Sequence, residues 1–508
     1  MLSGRRRRGN NFMKILMIAA EAVPFAKVGG LADVLGSLPA SLKKFGIDVR
    51  VVIPKYKSIN DLPSAPQPLT DHPVKEIMLG RIPVPVRYFQ AITPETDVPV
   101  YFVENTHFFQ RDGIYDDPAT GKGYEDNGER FIFFSKAALA LLDGLSWQPD
   151  IIHCHDCQTG LIPAYIRLGM VNPACAQVAS VFTIHNLGYL GLFPKTILYP
   201  VGLDDDLFYP ASPLEFYNQV SFMKIALAYA DCMNTVSESY AIEIQSGKEF
   251  GCGLEGVLRM RRADLFGIMN GIDHTIWDPE TDVQIPYPYS IDDLSGKYEN
   301  KKALLARCGW PPPSERIPLV GMISRLTDQK GFDLVISKLD EIMSLPLQLV
   351  ILGSGEKVYE QALQQAMQQY SDKLSFHMGF DDQLAHLIEA GADLFFMPSR
   401  YEPCGLNQLY SMRYGTLPVV RATGGLRDSV IDDDHNPYRG TGFVFETYTG
   451  NAMMETLHRS LQAFQDVSRW SYMMSRAMSC DFSWNRSAEK YRELYLYARS
   501  KRRTVYLP

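Results

Sequence analysis

Short, fully apolar runs recur along the chain, each closed by a turn and followed by a stretch with helical spacing. In the first half they are KILMIAAEA at 14–22, VRVVIP at 49–54, VPVYFVE at 98–104, IIHCHD at 151–156 and SVFTIHN at 180–186. Runs without polar alternation suit strands buried on both faces, and a strand–helix–strand rhythm builds a doubly wound parallel sheet. The rhythm restarts with PLVGMISRL at 318–326, LQLVILGSG at 347–355, LSFHMGF at 374–380, ADLFFMPSR at 392–400 and LPVVRATGG at 417–425. The pattern predicts an α/β protein with two Rossmann-like sheets. Turn formers in NGIDHTIWDPETD at 270–282 separate them, so the first domain is expected over 13–275 and the second over 276–480. A last helix is expected within 481–508, with Trp484, Tyr491, Leu494 and Tyr495 on one face, returning to the first domain.

A chain of 508 residues exceeds what one core can hold, in keeping with this division. Its 50 basic and 58 acidic residues leave a formal charge of −8, a field that repels polyanions, so nucleic acid is not an expected partner. Any anion must be held by a few cations and backbone amides gathered at one place. The eight cysteines are scattered through a chain that needs no staples, which points to a reducing compartment. No apolar run reaches the ~18–20 residues that cross a bilayer, so no membrane partner is expected. Arg5 to Arg8 followed by an apolar stretch imitates a signal peptide, but Lys14 and Glu21 bound that stretch closely. It reads better as a first strand behind a disordered basic leader at 1–12.

Four constellations carry candidate chemistry. Lys27-Val28-Gly29-Gly30-Leu31 lies where a strand turns into a helix, a place where glycines let backbone amides approach a phosphate and Lys27 adds a cation. A plain strand-to-helix turn is the bland reading, and neither of the usual nucleotide-loop motifs is present. Gly424-Gly425-Leu426 echoes it in the second half, so each half carries a glycine pair opening a helix beyond a strand end, where α/β sheets bind ligands. Arg325 and Lys330, in SRLTDQKG at 324–331, stand five residues apart at a strand mouth, one with a planar fork and one with a point charge for a diphosphate; a solvated loop is the alternative. In SRYEPCGL at 399–406 the amides of Gly405, Leu406 and Asn407 open a short helix. Glu402 is the carboxylate nearest that anion site, favourable there only if it faces a sugar or counts simply as a helix N-terminal charge.

His153-Cys154-His155-Asp156-Cys157 invites a zinc reading, but strand alternation puts the two histidines on one face and Cys154 on the other, with no second ligand pair at finger spacing. Asp156 and His185-Asn186, ending neighbouring strands, read instead as polar contacts for sugar hydroxyls. The acidic strings at 204–206 and 432–434 contain Asp-x-Asp but lack a preceding strand.

Taken together, KVGGLADVLGSLP, FTIHNLGYLG, NTVSESY, GLEGVLRMR, IMNGIDHTIWDPETD, ISRLTDQKG, PSRYEPCGLNQLYSMRYGTLPVVRATGGLRDSV and TGFVFE resemble, in order and spacing, the glycogen synthases of bacteria and the starch synthases of plants and algae. The resemblance covers residue 13 to about 500. It implies a GT-B fold and a retaining transfer of glucose from ADP-glucose to the 4-hydroxyl of an α-1,4-glucan, with no metal and no other cofactor. It implies diphosphate contacts for Lys27, Arg325 and Lys330, a catalytic glutamate at Glu402, a glucose contact at His185, an essential carboxylate at Asp156 and an adenine platform at Phe380. Gly29, Gly30, Asp33, Asn270, Cys404, Gly405, Leu406 and Asn407 complete the donor-binding set that it implies. The compartment would be a bacterial or cyanobacterial cytoplasm, or a plastid stroma. The chain departs from the family pattern at Cys157, Gln158, Leu190 and Asn407, and Val28 gives the KVGGL form of cyanobacterial and some plant enzymes. A UDP-glucose transferase and a catalytically weak priming paralogue are the rival readings; intact Lys27, Arg325, Lys330 and Glu402 speak against the second.

Overall fold

The computed structural model describes residues 12–505 apart from 64, 71, 73, 176 and 313–316, so nearly all of the expected leader lies outside the described residues. Two compact units are present. The first comprises Met1–Val236, Ala241–Ile268 and Trp484–Pro508, the second Ser237–Tyr240 and Met269–Ser483. The division falls before Met269, ahead of the turn-rich segment, because Met269 and Ile272 already pack into the second core.

In the first unit β1 (Lys14–Ile18), β2 (Asp48–Pro54), β3 (Lys75–Leu79), β4 (Ile82–Ile92), β5 (Pro99–Glu104), β6 (Ile151–His155), β7 (Ala179–Ile184), β8 (Cys232–Thr235) and β9 (Leu265–Gly267) build one sheet. Its order is β9-β8-β7-β6-β1-β2-β5-β4, with Gln67–Pro68 beyond β4 and β3 paired to β4. From β9 to β5 every pairing is parallel, and Ile15 to Ile18 are wholly buried, as an apolar run without alternation requires. The β3–β4 hairpin is antiparallel and had no apolar run to announce it. Pro83 and Pro85 fall in the part of β4 that pairs with β3 alone; β5 pairs only from Arg87 onward, so no ladder bond is lost toward β5. The long helix Trp484–Val505 packs on β7 and on the helix Gly30–Lys44 (α1), burying Trp484, Tyr491, Leu494 and Tyr495.

The second unit is a six-stranded, all-parallel sheet of β10 (Leu319–Ile323), β11 (Gln348–Gly353), β12 (Leu374–Met378), β13 (Leu394–Met397), β14 (Leu417–Arg421) and β15 (Phe443–Phe445), in the order β12-β11-β10-β13-β14-β15. Such orders reverse at a switch point, where the loops leaving two adjacent strands diverge and open a crevice. In the second unit it lies between β10 and β13; in the first, between β1 and β6. The Lys27–Gly30 turn, Asp156, the Arg325–Lys330 loop and the Glu402 loop leave those four strands, whereas His185-Asn186 follows β7 and Gly424-Gly425 follows β14.

Candidate functional site

At the switch point of the first unit, β1 leads to Glu21 and then to the Lys27–Gly30 turn. Glu21 is buried, and its carboxylate accepts from the Val28 amide at 2.5 Å, the Gly29 amide at 2.9 Å and the Tyr115 hydroxyl at 2.6 Å. Burial raises its pKa above the ordinary carboxyl range, and these donors pull the other way. This corrects the reading of the turn as a bare phosphate cradle: two of its amides are already held by an internal carboxylate, which braces the loop at the start of α1. The turn itself is exposed, and a Cβ added to Gly29 would meet no atom within 4 Å. Lys27 pairs with Asp33 at 2.7 Å with half its side chain in solvent, a contact worth under about 1 kcal/mol that a ligand can displace.

β6 ends at His155, and Asp156 follows with φ at 55°, outside the ordinary range for a non-glycine residue. That turn points its carboxylate at the next loop, where it accepts from the His185 amide at 2.8 Å and from the Asn186 amide. Asp156 is therefore first a backbone clamp on the His185 loop rather than an open acceptor for sugar hydroxyls. Burial pushes its pKa up to about 7 against the pull of those two amides. The His185 ring sits 2.9 Å from His155 Nδ1, and burial lowers it to about 3, so it is neutral at pH 7. His153 and His155 share a face, as alternation predicts, with rings 4.0 Å apart. Among the described residues no three His, Cys, Asp or Glu side chains gather as a metal site. Cys157 is buried, with Gly191 close to its sulfur, and the Leu190 carbonyl accepts from the Ser221 hydroxyl.

At the second switch point the loops after β10 and β13 meet. The Arg400 amide donates to the Gln329 carbonyl at 2.9 Å, which sets Lys330 beside Glu402 at 2.5 Å, both largely buried. Ser399 donates to the same carboxylate oxygen at 3.2 Å. Glu402 is thus neither free nor a surface helix charge. Arg325 is exposed, and Phe380, 81% exposed, follows β12 near the sheet edge. Gly405 turns with φ at 71°, Leu406 caps the helix Asn407–Arg413, and Asn407 donates to the Ile323 carbonyl at 3.3 Å. The Asn270 amide hydrogen-bonds the buried Cys404 thiol, which burial pushes up to about 12.

The glycine echo resolves into two different devices. A Cβ at Gly425 would lie 2.0 Å from the Cys404 carbonyl oxygen, and one at Gly424 2.0 Å from that of Glu402. The Gly425 amide donates to the Glu402 and Pro403 carbonyls, both at 3.2 Å. This second pair is a seat for the Glu402 loop, whereas Gly29 opens to solvent. Sequence reasoning missed Glu21, Tyr115, Ser399 and the role of His155. A lone glutamate interrupting the apolar exit of β1 was the one available signal for Glu21.

The raised Asp156 pKa predicts a pH effect. Between about pH 4 and 7 the folded protein holds a proton on Asp156 that the unfolded chain has lost, so its contribution falls as pH rises through that window and is flat above it. The buried histidines have the opposite sign, so the difference between wild type and Asp156→Asn isolates the group. Denaturant unfolding at pH 4.5 and 8 should show that difference dropping at pH 8, by up to about 3 kcal/mol; a constant difference would remove the buried-acid assignment.

Residues 14–260 match the starch synthase catalytic domain family, and 311–472 match glycosyl transferases group 1. The chain is 46% identical to the glycogen synthase of Moorella thermoacetica over 98% of its own length and 99% of that protein. It is 42% identical to the glycogen synthase of Thermotoga petrophila, over 96% and 99%. In structure it is similar to the catalytic domain of starch synthase IV from Arabidopsis thaliana bound to ADP and acarbose, with a TM-score of 0.85 and 34% identity over 96% of this chain and 100% of that one. A sucrose-phosphate synthase from Thermosynechococcus elongatus, 18% identical with a TM-score of 0.59, shares the fold over 95% of this chain and 98% of that one. The two parallel-sheet units are thus those of the GT-B class expected from the motifs.

Proposed function

Because this chain belongs to the glycogen synthase and starch synthase family, we propose that it extends an α-1,4-glucan from ADP-glucose with retention of configuration and without a metal. The observation that carries the reading is the Lys330–Glu402 pair, a half-buried cation against a buried carboxylate at the β10–β13 switch point. Departure of ADP develops negative charge on the diphosphate, and preorganised cations and amides stabilise it better than water, which must reorganise. Arg325 and Lys330 take that role in the second unit, and Lys27 with Gly30 in the first. Lys330 then serves two anions, the diphosphate and Glu402, while Glu402 faces the glucose, where it can accept hydroxyl hydrogen bonds or stabilise positive charge on the ring. In the first unit Asp156 holds the backbone that carries His185, and His185 supplies the glucose contact. Phe380, being exposed, is free to stack on adenine, and Leu406, Asn407, Cys404 and Asn270 line the donor side.

Retention follows most simply from front-face attack. The leaving phosphate oxygen accepts the proton of the acceptor 4-hydroxyl as the new C1–O bond forms and the C1–phosphate bond breaks on the same face. Among the described residues the side-chain hydrogen bonds of Glu402 run to Lys330 and Ser399. Products made from ADP-glucose and maltooligosaccharide should carry new α-linkages by proton NMR, with no glucosyl mass added to Glu402 in quenched, digested enzyme. A trapped Glu402 adduct would replace front-face attack with a double displacement, and a β-linkage would end the retaining reading.

A further inference from the structure

We propose that His155 is a positioning residue that fixes the tautomer of His185, so that the His185 ring presents an N–H donor at Nδ1. The side chains of His153-Cys154-His155 do not gather as a metal site among the described residues, and the two rings are instead ordered by a directional network. Thr183 Oγ1 gives its one proton to Asn234 Oδ1 at 2.7 Å, so at 2.6 Å it must accept from His153 Nε2. His153 Nδ1 then accepts from the Tyr495 hydroxyl at 2.9 Å, and Asn234 donates onward to Tyr491 at 3.1 Å. This locks the His153 ring, and the His155 ring lies against it at 4.0 Å.

His155 Nδ1 and His185 Nε2 are 2.9 Å apart, and burial keeps both rings neutral, so one nitrogen donates and the other accepts. His155 Nε2 is buried with no hydrogen-bond partner among the described residues. If His185 donated, the proton of His155 would sit on that Nε2 as an orphaned buried N–H, the rarer and costlier kind of unpaired group in folded proteins. If His155 donates from Nδ1, its Nε2 carries only a lone pair. The second arrangement is favoured, and it leaves the proton of His185 on Nδ1. A ligand atom meeting that ring must then be an acceptor, such as a sugar hydroxyl oxygen.

The tautomer is a property of the free protein; only its effect on turnover rests on the proposed glucose contact of His185. Imidazole nitrogens that are protonated and bare resonate far apart, so ¹⁵N-histidine spectra of the wild-type chain test it directly, with the His185 signals assigned by their loss in His185→Gln. The expected result is a protonated Nδ1 and a bare Nε2 on His185. His155→Asn, whose amide can still donate, should keep that signature and hold KM for ADP-glucose within about threefold, while His155→Ala gives mixed tautomers and raises KM roughly tenfold. A protonated Nε2 on wild-type His185 overturns the proposal. The expected spectra with an unchanged KM in His155→Ala would uphold the tautomer and discard the glucose contact.

Discussion

Replacing Lys330 by alanine is expected to lower glucan-dependent glucosyl transfer by roughly a thousandfold, the upper range for removing one preorganised charge from a transition state. Two losses combine. The developing charge on ADP loses its most enclosed cation, and Glu402, 5% exposed, is left as a buried carboxylate without its partner. Breaking a buried pair from one side costs about 3–5 kcal/mol in stability, so the variant should also unfold several degrees earlier. Lys330→Arg keeps the charge but replaces a compact ammonium by a planar fork in a space sized for a 2.5 Å contact. It should recover part of the folding stability and little of the rate. Initial rates of ADP release and thermal unfolding of the three proteins check this. An alanine variant within tenfold of wild type would remove Lys330 from the chemistry.

Gly425→Ala should be the next most damaging change, although it adds only one methyl group. The methyl would meet the Cys404 carbonyl at 2.0 Å, and because both sides of that contact are backbone, the 402–405 loop has to move. Overpacking of this kind costs about 1–3 kcal/mol. A displacement of the order of 1 Å at Glu402 costs on the order of a hundredfold in rate. Gly29→Ala supplies the contrast, since nothing lies within 4 Å of the added carbon. It should fold normally and act, if at all, on KM for ADP-glucose. Equal behaviour of the two variants would contradict the distinction between a loop seat and a ligand-facing turn.

That distinction marks where sequence stops being informative. Ten of the thirteen parallel strands among the described residues were legible because strands buried on both faces are written as unbroken apolar runs, and the switch-point loops follow from their order; the short β8, β9 and β15 carry too few residues to stand out. The β3–β4 hairpin was not, because half its positions face water and two are proline. The two glycine pairs look alike on paper, and only the neighbouring backbone shows that one receives a loop while the other is open. Glu21 reaches Tyr115 across 94 residues and His155 reaches His185 across 30, so their roles reside in tertiary contacts that no local pattern records. Residue chemistry did single out Lys330 and Glu402, but as separate motifs; their pairing is a consequence of adjacent β10 and β13.

The central claim is glucosyl transfer from ADP-glucose to a glucan. Its most direct test is release of the nucleoside diphosphate from ADP-glucose or UDP-glucose, each with and without glycogen or maltooligosaccharide. The account predicts ADP release that depends on glucan, with little UDP release under the same conditions. UDP release exceeding ADP release, or silence with both donors, would contradict it.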